Sequence, residues 1–203
     1  LEESRLGIPL LLCHDIIHGH RTIFPTPLAE ACSFNPALWE QTAHAAAQEA
    51  RAEGVALTFA PMLDIARDAR WGRMVEGPGE DTWLAAQIGA AKTRGFQGKD
   101  LNFTTSLAAT AKHFGAYGAV TAGREYASAD VSERTLLEVY LPPFAAAIAA
   151  GVAAIMPAFN DIGGLPMTAN AHLLKDILRQ RLGFKGVVIS DYNARSEEHT
   201  SEL

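Results

Sequence analysis

Five stretches of this 203-residue chain put polar side chains directly after a short apolar run. They are Asp15, the charged loop from Asp64 to Asp81, the pair Lys112-His113, Phe159-Asn160, and Asp191. Acids, guanidinium forks, a Lys-His pair and aromatic faces suit a ligand with many hydroxyls and an apolar ring face, such as a sugar. Other chemistries find less support. No G-x-S-x-G nucleophile elbow occurs. His14 and His18 are spaced as on a zinc-binding helix, but the H-E-x-x-H glutamate is missing and the setting is strand to loop, so no metal is expected. Neither G-x-G-x-x-G nor a P-loop is present, and no cofactor is expected.

The elements that must position these groups alternate. Apolar runs at Ile8–Cys13, Val55–Pro61, Ser106–Lys112, Val152–Ala158 and Val187–Ile189 read as strands, the last of them as a buried, β-branched one. Between them lie helices. One starts at Asn35-Pro36, with Asn as cap and Pro in the first turn, and stops at Gly54. Others span about Thr82–Phe96 and Ser132–Ala150, the latter interrupted by Pro142-Pro143. An amphipathic helix over Asn170–Leu182 ends on Gly183 in the left-handed conformation. Strand and helix alternate in an α/β pattern that implies a parallel sheet covered by helices. In a parallel barrel every carboxyl end faces one rim, where the polar groups recur. A doubly wound sheet is the alternative, but it would need a glycine-rich phosphate turn after its first strand. Asp191 itself has a second reading, as the cap of the next turn.

Composition narrows the classes further. Hydrophobic residues make up 48% of the chain and the net charge is -6, as in a globular protein. The acidity and the lack of a Lys/Arg cluster argue against a nucleic-acid partner. No segment is long and apolar enough to span a membrane. Cys13 and Cys32 form no disulfide framework and no C-x-x-C.

Six ordered stretches carry a resemblance. They are His14-Asp15-Ile-Ile-His18-Gly19, Phe59-Ala-Pro-Met-Leu-Asp64, Arg67-Asp-Ala-Arg-Trp-Gly-Arg73, Glu76-Gly-Pro-Gly-Glu-Asp81, Lys112-His113-Phe114 and Gly183-Phe-Lys-Gly-Val-Val-Ile-Ser-Asp191. In this order they resemble the N-terminal (β/α)8 barrel of glycoside hydrolase family 3, in its bacterial β-glucosidase branch. The resemblance implies a retaining, exo-acting β-glycosidase with Asp191 as the nucleophile that forms a covalent glycosyl-enzyme. It implies that Asp15 binds hydroxyls at the far side of the sugar ring, that Arg73, Lys112 and His113 bind the middle ones, and that Arg51 supports them. Met156 and Phe159 would line the pocket. Arg51 also reads as a helix-end cation, and Met156 and Phe159 as core residues. A β-xylosidase or related glycosidase, and a carbohydrate-binding barrel without catalysis, are the rival functions. Ala69 stands where the family usually has Pro, and Tyr192 follows the nucleophile position. Gly115-Ala-Tyr-Gly118 replaces the proline and histidines of the family's β-N-acetylglucosaminidases, which disfavours that activity.

The resemblance also implies a β-glucoside or β-linked oligosaccharide as substrate and a periplasmic or exported location. It implies an acid/base glutamate from a C-terminal α/β-sandwich domain beyond this chain. Residues 1–194 then read as an incomplete barrel, lacking elements at both ends. Residues 195–203, Arg195-Ser-Glu-Glu-His-Thr-Ser-Glu-Leu203, read as a non-native tail, a translated sequencing adapter. By itself such a piece is expected to expose unpaired strand edges and to hydrolyse no cellobiose.

Overall fold

The computed structural model describes residues 5–194. The reading of residues 195–203 as a tail lies outside them. Among the described residues five parallel strands form one sheet: β1 (Cys13–His14), β2 (Leu57–Thr58), β3 (Ala108–Phe114), β4 (Ala154–Pro157) and β7 (Val187–Val188). Their spatial order follows their order in the chain. That is the arrangement of a barrel wall. A doubly wound sheet would reverse its order at a switch point. A short antiparallel hairpin, β5 (Asp161–Ile162) with β6 (Leu165–Pro166), stands apart from the sheet.

Three of the described helices open on side-chain caps. Asn35 accepts the Leu38 N–H at 3.3 Å and opens α2 (Pro36–Ala52), which follows the short α1 (Pro27–Ala31). Asp81 accepts the Leu84 N–H at 2.6 Å and opens α3 (Thr82–Gln97). Ser132 caps α4 (Glu133–Thr135), which widens into a π-type turn over Leu136–Tyr140 before α5 (Pro142–Ala149) restarts at the double proline. The segment His172–Arg181, α6, is a wide π-type helix, not the α-helix its periodicity predicts, and Gly183 follows it at φ +69°. Helices α2, α3 and α5 pack side by side. Between α1, α2 and α3 the buried Lys92 ammonium pairs with the buried Glu30 carboxylate, which also accepts from Thr42. The main core runs from Ile16 and Leu63 through Phe96, Phe114 and Tyr117 to Phe144, Ile155 and Leu178.

Two strand readings need correction. The apolar run Ile8–Leu12 is not a strand of the sheet. Its side chains are exposed and pairing begins only at Cys13, with Leu12 contributing its carbonyl to Ala56 and Leu57 N–H. Val187, read as buried, is 60% exposed. Both segments lie at the edges of the described sheet, where one flank has no neighbouring strand.

Beyond β2 and β3 the two following loops lie against each other. A Cβ at Gly118 would stand 2.1 Å from the Ile65 carbonyl oxygen, so only glycine allows this approach. Gly118→Ala is expected to force the loops apart and to destabilise the fold by about 1–3 kcal/mol, as overpacking does. A fall in the midpoint of thermal unfolding measures this, and an unchanged midpoint would mean that the loops are not in contact.

Candidate functional site

Strand pairing brings the polar residues together. Lys112 in β3 is the register partner of Met156 in β4. On the other flank, Lys112 N–H donates to Pro61 C=O at 3.0 Å and Lys112 C=O accepts from Leu63 N–H at 2.6 Å. Asp64 follows Leu63 and therefore arrives beside His113. The pairing of β3 with β4 skips at His113, a bulge that re-aims its side chain. The Lys112–His113 peptide is cis. Asp15 follows β1 directly, and Asp191 lies just past β7, after Ile189 N–H has donated to Ile155 C=O at 3.0 Å.

A cleft of about 350 Å³ opens here, lined by Asp15, Phe59, Lys112, Met156, Ser190, Asp191 and Tyr192. The buried Lys112 ammonium reaches the exposed Asp15 carboxylate at 2.6 Å. His113 is fully buried. Its backbone N–H and Nδ1 both bond Asp64 Oδ2, at 3.0 and 2.8 Å. With that carboxylate as acceptor, Nδ1–H donates to Asp64, and Nε2 is left on the side of Asp191. Nε2 lies 3.4 Å from Asp191 Oδ2, an electrostatic contact that falls short of a well-formed hydrogen bond. Tyr192 N–H donates to Asp191 Oδ1 at 2.6 Å.

These neighbours set the charge of Asp191. Burial pushes its carboxyl up. His113, the Tyr192 N–H and the Lys112 charge outweigh burial and hold it below its ordinary value of 3.8. Asp191 therefore stands ionised in the cleft at neutral pH.

A second network backs His113. The Tyr117 ring meets the imidazole edge to face at 5.2 Å. Tyr117 donates its hydroxyl to Glu125, which also accepts Trp71 Nε1–H at 2.8 Å. Arg73 forks onto Glu76 at 2.8 and 2.9 Å, and its guanidinium lies 5.7 Å from the Tyr117 ring centroid. Burial opposes the Arg73 charge, but Glu76, Asp64 and Glu125 more than compensate and raise its pKa. Phe159 packs on Tyr117 and Tyr126, 5.9 and 5.1 Å between ring centroids.

The structure thus gathers Asp15, Lys112, Met156 and Asp191 on one cleft and sets His113 against Asp191. Arg73 and Phe159 stand around Tyr117 behind it. Arg51 does not join them. Its Nη1 donates to Val55 C=O at 3.1 Å, ahead of β2 and so at the opposite end of that strand from the rim. The helix-end reading of Arg51 is the one this geometry favours. Asp64, Glu76, Tyr117 and Glu125 were absent from the sequence-derived site. Asp64 and Glu76 lie within the quoted motifs, whereas nothing in the spacing of Tyr117 or Glu125 marks them. Among the described residues no group of three or more His, Cys, Asp or Glu is placed to hold a metal ion, and no helix is long and apolar enough to cross a membrane.

Comparison with known proteins gives the family. The model of the glycosyl hydrolase family 3 N-terminal domain matches residues 1–201. A periplasmic β-glucosidase of Salmonella typhimurium is 44% identical over 194 residues, 96% of this chain and 25% of that protein. A β-xylosidase of Formosa agariphila is 42% identical, over 94% of this chain and 28% of its own length. The chain thus spans about a quarter of these relatives. Among solved structures, a mutant β-glucosidase from Listeria innocua in complex with laminaribiose superposes with a TM-score of 0.94 at 46% identity, covering 97% of this chain and 28% of that one. The same enzyme in complex with isofagomine gives 0.92. The five-stranded arc is accordingly part of a (β/α)8 barrel wall, and the chain belongs to glycosyl hydrolase family 3, whose N-terminal domain it matches.

Proposed function

We propose that this domain supplies the nucleophile and the glycone pocket of a retaining, exo-acting β-glycosidase of the β-glucosidase type. One observation carries the reading: Asp191 is held ionised at the carboxyl end of a strand, in a cleft it shares with the Asp15–Lys112 pair. An ionised carboxylate attacks an anomeric carbon from one face, and a glycosyl ester on Asp191 follows as the glycosidic bond breaks. Asp15 and Lys112 offer an acceptor and donors to ring hydroxyls. Met156 and Phe59 offer apolar surface to the ring.

The leaving-group oxygen needs a proton. Asp15, Asp64 and Glu76 are each paired with a cationic or imidazole partner, which suits binding and not proton donation. We therefore assign the acid/base carboxyl to a further domain of the enzyme, the C-terminal α/β-sandwich of the family resemblance. A β-xylosidase is the second reading, favoured by the similarity to the Formosa agariphila protein. Glucosides and xylosides differ by one hydroxymethyl group, so the ratio of kcat/KM for the two aryl glycosides distinguishes them.

In the enzyme that carries this domain, Asp191→Gly is expected to lower hydrolysis of an aryl β-glucoside by about 10³-fold or more, because no nucleophile remains. Azide is expected to restore part of the rate and to yield the α-glycosyl azide. Near-normal turnover without azide sinks the assignment.

Asp15→Ala and Lys112→Ala are each expected to cost at least about 2 kcal/mol in kcat/KM, the first because it strands the buried Lys112 ammonium and the second because it removes donors to the ring hydroxyls. The pH profile adds a second readout. Activity requires ionised Asp191, so the acid limb of kcat/KM is expected below 3.8. Loss of the Lys112 charge makes the carboxylate harder to form and moves that limb upward. A limb that stays in place in Lys112→Ala would separate Lys112 from the nucleophile.

A further inference from the structure

Behind the nucleophile stands a group with no role so far. Asp64 is 3% exposed, and a buried carboxylate is costly unless it is paired. Its Oδ2 takes both the backbone N–H and the Nδ1–H of His113. Its Oδ1 is buried and makes no hydrogen bond, and neither does His113 Nε2. The imidazole is therefore gripped on the Asp64 side, and its second nitrogen, which can also carry a hydrogen, faces Asp191 Oδ2 at 3.4 Å. A carboxylate, an imidazole and a second carboxylate stand in series, contributed by the loop after β2, by β3 and by the segment after β7.

We propose that Asp64 is a positioning residue for the nucleophile: by gripping His113 through its backbone N–H and Nδ1–H, it fixes the orientation of the ring, sets the Nε2 edge against Asp191 and so aims the attacking carboxylate. This rests on the reading of Asp191 as nucleophile. Asp64 acts through His113 and touches no reacting atom.

The geometry supports this over simple packing. Two hydrogen bonds to one oxygen determine both the backbone and the ring of His113. The Tyr117 ring at 5.2 Å braces the imidazole from a further side. Of the charged groups near His113, Lys112 is its chain neighbour and Glu76 lies within electrostatic reach. Asp64 alone bonds its Nδ1. An amide at position 64 keeps the shape of the side chain. It carries no charge and can turn its NH2 to Nδ1, so the charge-assisted Nδ1–H···O bond that fixes the ring is lost.

The test follows a single step. In the complete enzyme, 2-deoxy-2-fluoro-β-glucosyl fluoride forms the Asp191 oxygen–anomeric carbon bond as the carbon–fluorine bond breaks. Fluoride leaves with the electron pair, so no proton donor is needed. Peptide mass spectrometry locates the label, and the fluoride released in the burst counts folded sites. Asp64→Asn is expected to lower the first-order inactivation constant by about tenfold or more, with the binding constant of the reagent little changed. In combination with His113→Phe it should add nothing further, because its effect runs through that ring. Equal labelling rates in Asp64→Asn and the parent enzyme, per titrated site, would overturn the proposal, as would a loss confined to reagent binding. So would additive losses in the double variant. Should His113→Phe fail to fold, the split between inactivation rate and binding in Asp64→Asn decides alone. A label on a residue other than Asp191 in the parent enzyme refutes the functional reading itself. A label on Asp191 with an unaffected Asp64→Asn refutes this inference only.

Discussion

Parallel strand register is the constraint on which the site depends. Cys13 pairs with Leu57 and Leu57 with Ala108, while Thr110 pairs with Ala154 and Ala154 with Val187. Because all strands run the same way, residues a few places beyond these pairs emerge at one rim. Asp15, Asp64, Lys112, Met156 and Asp191 come from five segments that are far apart in the chain, yet each lies at or just past a strand end. Side chains alternate across a sheet, so a slip of one residue in β3 would turn Lys112 away from Asp15. The chemistry is thus tied to backbone hydrogen bonds that contain none of the reacting atoms.

The rim is also a problem in charge. Buried ions lose hydration that a single partner only partly replaces. The chain meets this by pairing. Lys112 is matched with Asp15, His113 with Asp64, and Arg73 with Glu76. Such pairs add little net stability. What they do create is a local field in which one carboxylate, Asp191, stays ionised although burial opposes it. The Glu30–Lys92 pair is equally buried and joins α1 to α3, with Thr42 of α2 bonded to both.

The loops after β2 and β3 turn these pairs into one unit. Gly118 brings the backbone of one loop onto Ile65 of the other. Tyr117 then reaches His113 with its ring and Glu125 with its hydroxyl, while Trp71 reaches Glu125 from the opposite loop. A displacement at either loop would pass through Tyr117 to the imidazole and from there to Asp191.

Local chemistry alone determined much of this protein. Strand and helix alternation, the cap at Asn35, the break at Pro142 and the left-handed Gly183 depend on neighbours in the chain, and all were legible. So was the recurrence of polar residues after strands, because the period of βαβ units is written in the spacing. Burial was not legible at the edges of the described sheet: Val187 and the run Ile8–Leu12 have the composition of buried strands but are exposed. Nor was the width of α6, since apolar periodicity does not distinguish a π-type helix from an α-helix. Only tertiary structure decided which carboxylate serves which partner. Asp64 and His113 are 49 residues apart, and Trp71 and Glu125 are 54 apart. Arg51 shows the same limit from the other side, for its charge is plain in the sequence while its place, at the wrong end of β2, follows from the direction in which a helix returns to the sheet. Pairings of that kind belong to the register of the strands, which no single segment contains.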